Sequence, residues 1–244
     1  DEKDDPVQYS ENYSYASWKS EYDSLGNVAS TDYFDVVGNP VVYGEDYKFS
    51  RWTAKYEDGN QTKKEYFDIN DQPSRYYKDY NYASWKAEYD PNGNITKMQY
   101  FDTRGNPVIY SNERNYASWE AKYDQNGNQI SGAVFDKNGN PVNYAGSNYA
   151  SWTAEYDTNG NRIVETYFDK KGNRVNYSSE NNYAIWKAEY DERGNQIWEA
   201  HFDVNNQPVP FKDQNYYSWR AEYDLSDNQI HEAYFDENNL PVDF

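Results

Sequence analysis

Residues 77–110 read YKDYNYASWKAEYDPNGNITKMQYFDTRGNPVIY, and the rest of the chain repeats this pattern. Aligned on its tryptophan, the pattern recurs at alternating intervals of 34 and 33 residues. A fixed period of about 20–50 residues is the signature of a repeat architecture. The alignment gives seven repeats, at residues 10–43, 44–76, 77–110, 111–144, 145–177, 178–211 and 212–244. Residues 1–9 align with the end of a repeat, so we expect a single repeat domain over residues 1–244, cut from a longer polypeptide.

Each repeat contains two similar turn motifs, which in the third repeat are Asp90-Pro-Asn-Gly-Asn94 and Asp102-Thr-Arg-Gly-Asn106. An aspartate can hydrogen-bond to the backbone two residues on, and a glycine supplies the positive φ that closes a type I turn with a bulge. Aromatic and β-branched residues flank both turns, and these residue types suit a pleated surface. The pattern predicts strand, turn, strand, turn and a short third strand at 107–110. The expected fold is all-β, an elongated array (solenoid) of stacked hairpins, and the alternative is a closed toroid of seven blades.

The first segment of each repeat is open to two interpretations. Tyr82, Trp85 and Tyr89 fit one face of a short helix, whereas a strand places Ala83, Trp85, Ala87 and Tyr89 on one face. The hairpin turn that follows at once contains no helix cap. The pattern therefore favours a strand.

Five alignment columns are aromatic in all seven repeats, and in the first repeat they are Tyr15, Trp18, Tyr22, Phe34 and Tyr43. A sixth column, just before the Phe, is Tyr in five repeats and Val134 or His201 in the other two. We expect the columns to form the core, because the chain contains few other large apolar residues. The Trp and Phe columns are Trp18, Trp52, Trp85, Trp119, Trp152, Trp186, Trp219, Phe34, Phe67, Phe101, Phe135, Phe168, Phe202 and Phe235.

The charge and hydropathy of the chain favour disorder, whereas its aromatic content favours a folded protein. A net charge of −19 and a mean hydropathy of −1.26 are typical of disordered chains. The 29 Tyr, 10 Phe and 8 Trp, kept in register, indicate a folded protein instead. The absence of cysteine excludes a disulfide scaffold and thiol chemistry. The acidic balance argues against a nucleic-acid partner, and no apolar run is long enough to predict membrane insertion.

The motif NYASWxAEYDxxGN followed by YFDxxGNPV resembles the tyrosine-rich YD-type repeats of bacterial surface and secreted proteins. More distantly, it is similar to the choline-binding, glucan-binding and clostridial-toxin cell-wall modules. These share an aromatic-aromatic-Asp-x-x-Gly hairpin, matched for example at Tyr100-Phe101 and Tyr167-Phe168. The resemblance implies a non-catalytic module, secreted or on the surface of a bacterium, that binds carbohydrate or cell-wall polymer. The alternative is a structural stalk or a protein-binding adhesin segment whose partner is a surface protein.

Candidate ligand-binding residues are aromatic residues outside the columns, because a fold that lacks them in most repeats does not require them. Tyr13, Tyr47 and Tyr80 each lie five residues before a column Trp and form a stripe in the first three repeats only. Trp198 and Tyr217 also lie outside the columns. Flat exposed rings of this kind can stack on the apolar face of a pyranose.

No catalytic site or cofactor is expected. The Asp-x-x-Gly-Asn turns are rich in oxygen and are candidates for Ca²⁺, but they lack EF-hand spacing, and a purely conformational role is favoured. His201 and His231, the two histidines, occupy different columns, which argues against a zinc or catalytic pair. Each turn aspartate has equivalents in the other repeats, whereas an active site is normally a unique constellation. Paired carboxylates of the glycosidase type stay open.

Overall fold

The computed structural model describes residues 7–10 and 12–243. Residues 1–6 of the tail predicted at 1–9, and Phe244 at the end of the seventh repeat, lie outside the described residues. Within the described part every regular element is a β-strand, which confirms the all-β prediction and the strand interpretation of the first segment. The strands are β1 (Ser17–Tyr22), β2 (Val28–Phe34), β3 (Arg51–Glu57), β4 (Asn60–Phe67), β5 (Ser84–Tyr89), β6 (Ile95–Phe101), β7 (Ser118–Tyr123), β8 (Gln129–Phe135), β9 (Ser151–Tyr156), β10 (Arg162–Phe168), β11 (Ile185–Tyr190), β12 (Gln196–Phe202), β13 (Pro208–Val209), β14 (Ser218–Tyr223), β15 (Gln229–Phe235) and β16 (Pro241–Val242).

The chain divides into two compact units, which we call the N-terminal half and the C-terminal half. The N-terminal half comprises Asp1–Glu120 with Phe135–Asn140, and the C-terminal half comprises Ala121–Val134 with Pro141–Phe244. In the N-terminal half, β1 to β6 pair in sequence order and β7 pairs with β6. In the C-terminal half, β8 to β12 pair in sequence order, followed by β14, β15 and β16, while β13 pairs with β12.

Consecutive hairpins join edge to edge. The second strand of each hairpin pairs with the first strand of the next, as in Lys63↔Lys86 and Glu65↔Ser84 between β4 and β5. The same antiparallel pairing links β10 to β11 in the C-terminal half. Blades of a propeller would be separate sheets. Within each half the hairpins therefore form one open sheet, as the array prediction requires, and not separate blades.

The turns have the predicted chemistry. Gly93 adopts φ +85°, and its N–H donates to the carbonyl of Asp90 at 3.0 Å. The register shifts by one residue between Glu88 and Tyr89, which is the bulge that accompanies such a turn. The aspartate side chain holds the loop, because its Oδ1 accepts the backbone N–H groups of Asn92 and Asn94 at 2.9 Å.

The predicted third strand is mostly absent, which corrects the sequence interpretation. In five repeats it is reduced to a single bridge, such as Phe34↔Pro40 and Phe101↔Pro107. Proline has no N–H to donate, so the next residue, Val41 or Val108, supplies the hydrogen bond back to the hairpin. Only β13 and β16 extend to two paired residues.

A stack of tyrosine rings forms the core of the N-terminal half. Successive rings lie 5.4–6.0 Å apart between centroids and within 20° of parallel, in the range favoured by offset aromatic stacking. The stack comprises Tyr9, Tyr15, Tyr43, Phe49, Tyr76, Tyr82, Tyr110 and Tyr116. The rings of the sixth column pack against this stack. The ring centroid of Tyr66 lies 4.9 Å from that of Tyr76, and the centroid of Tyr100 lies 4.5 Å from that of Tyr110. The first and sixth columns thus contribute buried rings, as predicted, whereas the last column is half-buried.

In the C-terminal half the stack contains a histidine. The stack begins with four successive tyrosine rings whose centroids lie 4.9, 5.3 and 5.7 Å apart: Tyr144, Tyr149, Tyr177 and Tyr183. The ring of His201 then lies 4.1 Å from both Tyr183 and Phe211. Its Nε2 is 3.2 Å from a Glu199 oxygen.

The Trp and Phe columns differ from the prediction, because none of them is fully buried. Trp18 is 60% exposed, and the others are half-buried. Trp52 lies on the same face of the sheet as the tyrosine stack, and its indole N–H donates to the Tyr33 hydroxyl at 3.3 Å. The phenylalanines lie on the opposite face, where cations cover several of them, as Lys187 does Phe202 at 4.7 Å.

Candidate functional site

Tyr13, Tyr47 and Tyr80, the predicted stripe, widen the tyrosine stack of the N-terminal half. Their rings meet the last aromatic column edge-on, with centroids 5.1 Å apart for Tyr13 and Tyr43 and 5.0 Å for Tyr80 and Tyr110. All three side chains are half-buried. Their edge-on packing accounts for their spacing in the sequence, and a role in ligand binding stays a prediction.

Trp198 and Tyr217, the other two predicted residues, line one cleft of about 240 Å³ in the C-terminal half. Trp198, Ala200 and Phe202 alternate along β12 and face the same side. Tyr217, just before β14, and Pro208 of β13 also line the cleft. The structure thus brings together two aromatic residues that are 19 positions apart in the sequence.

The sheet register explains why the cleft forms in this repeat. Ala200 pairs with Ser218, and both residues are buried, so small side chains leave room beside Trp198. Trp198 itself lies between Glu189 on β11 and Arg220 on β14. The equivalent position in the other repeats holds Ser30, Lys63, Lys97, Ser131, Val164 and His231. The tryptophan platform is therefore unique to this site.

Polar groups surround the platform. The Arg220 guanidinium lies 4.9 Å from the centre of the Phe235 ring and donates to Asn239 Oδ1 at 3.2 Å. Glu189, Asp236 and Glu237 also line the cleft. The pKa of Tyr217 is raised, first by loss of hydration and then by its hydrogen bond to Glu237. An indole face edged by carboxylates and a fixed guanidinium offers both stacking and hydrogen bonding to a hydroxylated ring.

Sequence reasoning missed the polar members of this cleft. Glu189 and Arg220 sit in strand positions where charged residues are common in the other repeats, and Glu237 sits in a turn position that is also charged in two other repeats. Their proximity to Trp198 depends on the cross-strand register. This register places Trp198 opposite Glu189, 9 positions earlier, and opposite Arg220, 22 positions later. Trp198 and Tyr217, both outside the columns, were the signals in the sequence that marked the place.

The turn aspartates have internal partners. Besides the two backbone N–H groups, Asp90 accepts a hydrogen bond from the Asn94 side chain at 3.0 Å. These hydrogen bonds, led by the Asn94 side chain, hold the pKa of Asp90 below its usual value. Among the described residues, no group of three or more His, Asp or Glu side chains is arranged to hold a metal ion. Calcium at these turns stays a prediction, and the observed geometry explains the motif without it.

Comparisons with known proteins name no family for the chain. No family model and no curated protein matches it. Among solved structures it is similar to a chain of the Photorhabdus luminescens Tc holotoxin pore, at 12% identity and a TM-score of 0.32, over 90% of this chain and 13% of that chain. It is similar to a chain of the TcdB2-TccC3-Cdc42 structure at 11% identity and a TM-score of 0.32, over 90% and 12% of the two chains. The described residues contain no helix that could cross a membrane. This chain thus spans about an eighth of the toxin chains that it matches.

Proposed function

We propose that this protein is a non-catalytic carbohydrate-binding module, and that the cleft at Trp198 binds a sugar residue of a neutral polysaccharide. The observation that carries the proposal is the meeting of Trp198 and Tyr217 in one polar-edged cleft. The indole stacks on the apolar face of a pyranose, while Arg220, Glu189 and Glu237 hydrogen-bond to its hydroxyls. The module acts outside a bacterial cell, on the cell surface or as part of a secreted protein.

The alternative is a spacer or protein-binding segment without a sugar ligand. The tyrosine stack and the edge-to-edge hairpins support either role, since both need a continuous array. The Trp198 cleft favours sugar binding, because a spacer has no use for a large half-exposed ring that occurs in one repeat only.

Affinity electrophoresis through gels that contain soluble neutral polysaccharides tests the proposal. The parent protein should be retarded by at least one of them. Trp198→Ala should weaken binding about tenfold or more, because truncating a central aromatic residue of an interface typically costs about 2 kcal/mol or more. Trp198→Phe should keep much of the binding, since it keeps a platform.

Trp18→Ala is the matched control, because Trp18 is 60% exposed and lies in the N-terminal half. It should bind like the parent. No retardation of the parent on any neutral polysaccharide, or equal retardation of the parent and Trp198→Ala, would favour the spacer.

A further inference from the structure

A second cleft lies on the other face of the sheet in the C-terminal half. It encloses about 560 Å³ beside five aromatic side chains and one Arg–Glu pair. Glu165 on β10 pairs with Trp186 on β11, so this cleft opens on the side of the column tryptophans. Trp198 faces the opposite side, because its neighbour Glu199 pairs with the column residue Trp219. The aromatic lining residues are Tyr156, Tyr167, Tyr183, Trp186 and Tyr190.

One substitution, the arginine at position 162, makes this place unlike its equivalent in the sixth repeat. Arg162 is the residue after the turn asparagine, Asn161. The equivalent residue of the sixth repeat is Gln196. Glu165 is matched there by Glu199, and Gln196 Nε2 donates to Glu199 Oε2 at 2.8 Å. The sixth repeat therefore carries a Gln–Glu version of the same pair, in which the cation is replaced by a neutral amide.

The Arg162 guanidinium contacts Glu165 through one nitrogen, and the side chain is otherwise partly exposed to solvent. Arg162 Nη1 lies 2.6 Å from Glu165 Oε2. The Glu165 side chain is only 15% exposed, so the carboxylate is a well-buried anchor for the arginine. The Arg162 side chain is 45% exposed, and this contact uses one of the five N–H donors of a guanidinium. The remaining donors belong to a planar guanidinium that lines the same cleft as Trp186 and Tyr190.

From this arrangement we infer a second binding site, whose ligand is a uronic acid residue, a sugar ring that carries a carboxylate. The free edge of the Arg162 guanidinium forms two parallel hydrogen bonds with the ligand carboxylate, the geometry for which arginine is best suited. The Trp186 and Tyr190 rings pack against the apolar face of the sugar. Glu165 acts as a positioning residue, because it orients Arg162 without touching the ligand.

The charge of the chain works against an acidic ligand at long range, so recognition depends on the oriented arginine at short range. At a net charge of −19 the protein repels anions at long range, so an acidic ligand needs a specific contact and a stacking surface. One arginine–carboxylate pair predicts a shallow dependence on salt, unlike the steep dependence of a basic patch that neutralises many charges. The inference stands apart from the Trp198 cleft, with a different ligand and different residues.

Calorimetric titration with oligogalacturonate, oligoguluronate and oligomannuronate, and with the methyl ester of each one that binds, tests this site. The ester keeps the ring and removes the charge. The parent should bind at least one acid form, and about tenfold or more tighter than its ester. Arg162→Gln, which reproduces the Gln–Glu pair of the sixth repeat, should lose that preference. Arg162→Lys keeps the charge without the fork and should fall between the two.

Arg174→Gln is the control, since Arg174 is an exposed arginine of the same half. It should bind like the parent, as should Trp198→Ala, which separates this site from the neutral-sugar cleft. Far-UV circular dichroism checks that each variant is folded. Equal binding of acid and ester, unchanged binding by folded Arg162→Gln, or no binding of any of the three acids by the parent would overturn the inference.

Discussion

Gly132 shows how closely single residues of this protein are fitted to one another. A Cβ at this position would lie 2.6 Å from Nε1 and 2.8 Å from Cε2 of Trp152. The indole thus lies directly on the backbone of the neighbouring strand. Other repeats place Thr31, Lys64 or Met98 at this position, so their tryptophans must sit differently.

Gly132→Ala should therefore destabilise the protein, although alanine suits a strand at least as well as glycine does. The added methyl group would displace the Trp152 indole. Overpacking of this kind typically lowers the free energy of unfolding by about 1–3 kcal/mol. Urea denaturation followed by tryptophan fluorescence measures the change. Ser131→Ala, one residue away on the opposite face, is the control and should have little effect. A Gly132→Ala midpoint equal to that of the parent would show that the indole is not constrained there.

The aromatic columns show what the sequence could and could not predict at the residue scale. Register alone identified Phe49, Tyr82 and Tyr116 as core, and all three are buried in the structure. The repeat register could not distinguish these residues from Trp52 or Phe67. A column that is always aromatic has the same sequence pattern whether its rings are fully buried or half-buried. The phenylalanines differ because the sheet places them on the face opposite the tyrosine stack, whereas Trp52 shares the face of the stack and is only half-buried there.

At the scale of the element, the hairpin is the most predictable part of the molecule. The Asp-x-x-Gly-Asn motif determines the turn, since its side-chain and backbone hydrogen bonds are local. The third strand was less predictable, because proline at positions such as Pro40 removes the N–H that a ladder needs. The clefts at Trp198 and Arg162 could not be predicted as clefts, because they depend on the register between neighbouring hairpins.

The turns should make stability depend on acid pH. Hydrogen bonds hold the pKa of many turn aspartates below the ordinary value of 3.8, and that of Asp191 at about 2. A depressed pKa in the folded state contributes stability that is present above pH 4 and is lost as pH falls through the folded value. The residues with lowered pKa are Asp23, Asp35, Asp90, Asp102, Asp124, Asp136, Asp157, Asp169, Asp191, Asp203 and Asp224.

Urea midpoints measured by circular dichroism should therefore fall between pH 4 and pH 2. Asp191→Asn should reduce the size of this fall, because it removes one titrating group and keeps one acceptor oxygen. A midpoint that stays constant over this range would mean that the turn carboxylates have the same pKa in the folded and unfolded chain.

At the scale of the whole molecule, the protein should tolerate the loss of one repeat. Deleting residues 77–110 removes β5 and β6 and brings β4 next to β7, whose register toward a preceding strand is equivalent to that of β5. Repeat proteins are stabilised by interfaces between neighbours, so the shortened array should fold with modestly reduced stability. Far-UV circular dichroism and a cooperative urea transition would show this. A disordered product would mean that the repeats are not interchangeable.

The eight indole N–H groups of the chain provide the most direct test of the proposed function. In a ¹H–¹⁵N spectrum each gives one signal, and Trp198→Phe identifies that of Trp198 by its loss. Titration with neutral oligosaccharides should shift the Trp198 signal and leave those of Trp18, Trp52 and Trp85 in the N-terminal half unchanged. An unmoved Trp198 signal at saturating sugar, or shifts confined to the N-terminal indoles, would contradict sugar binding at this cleft.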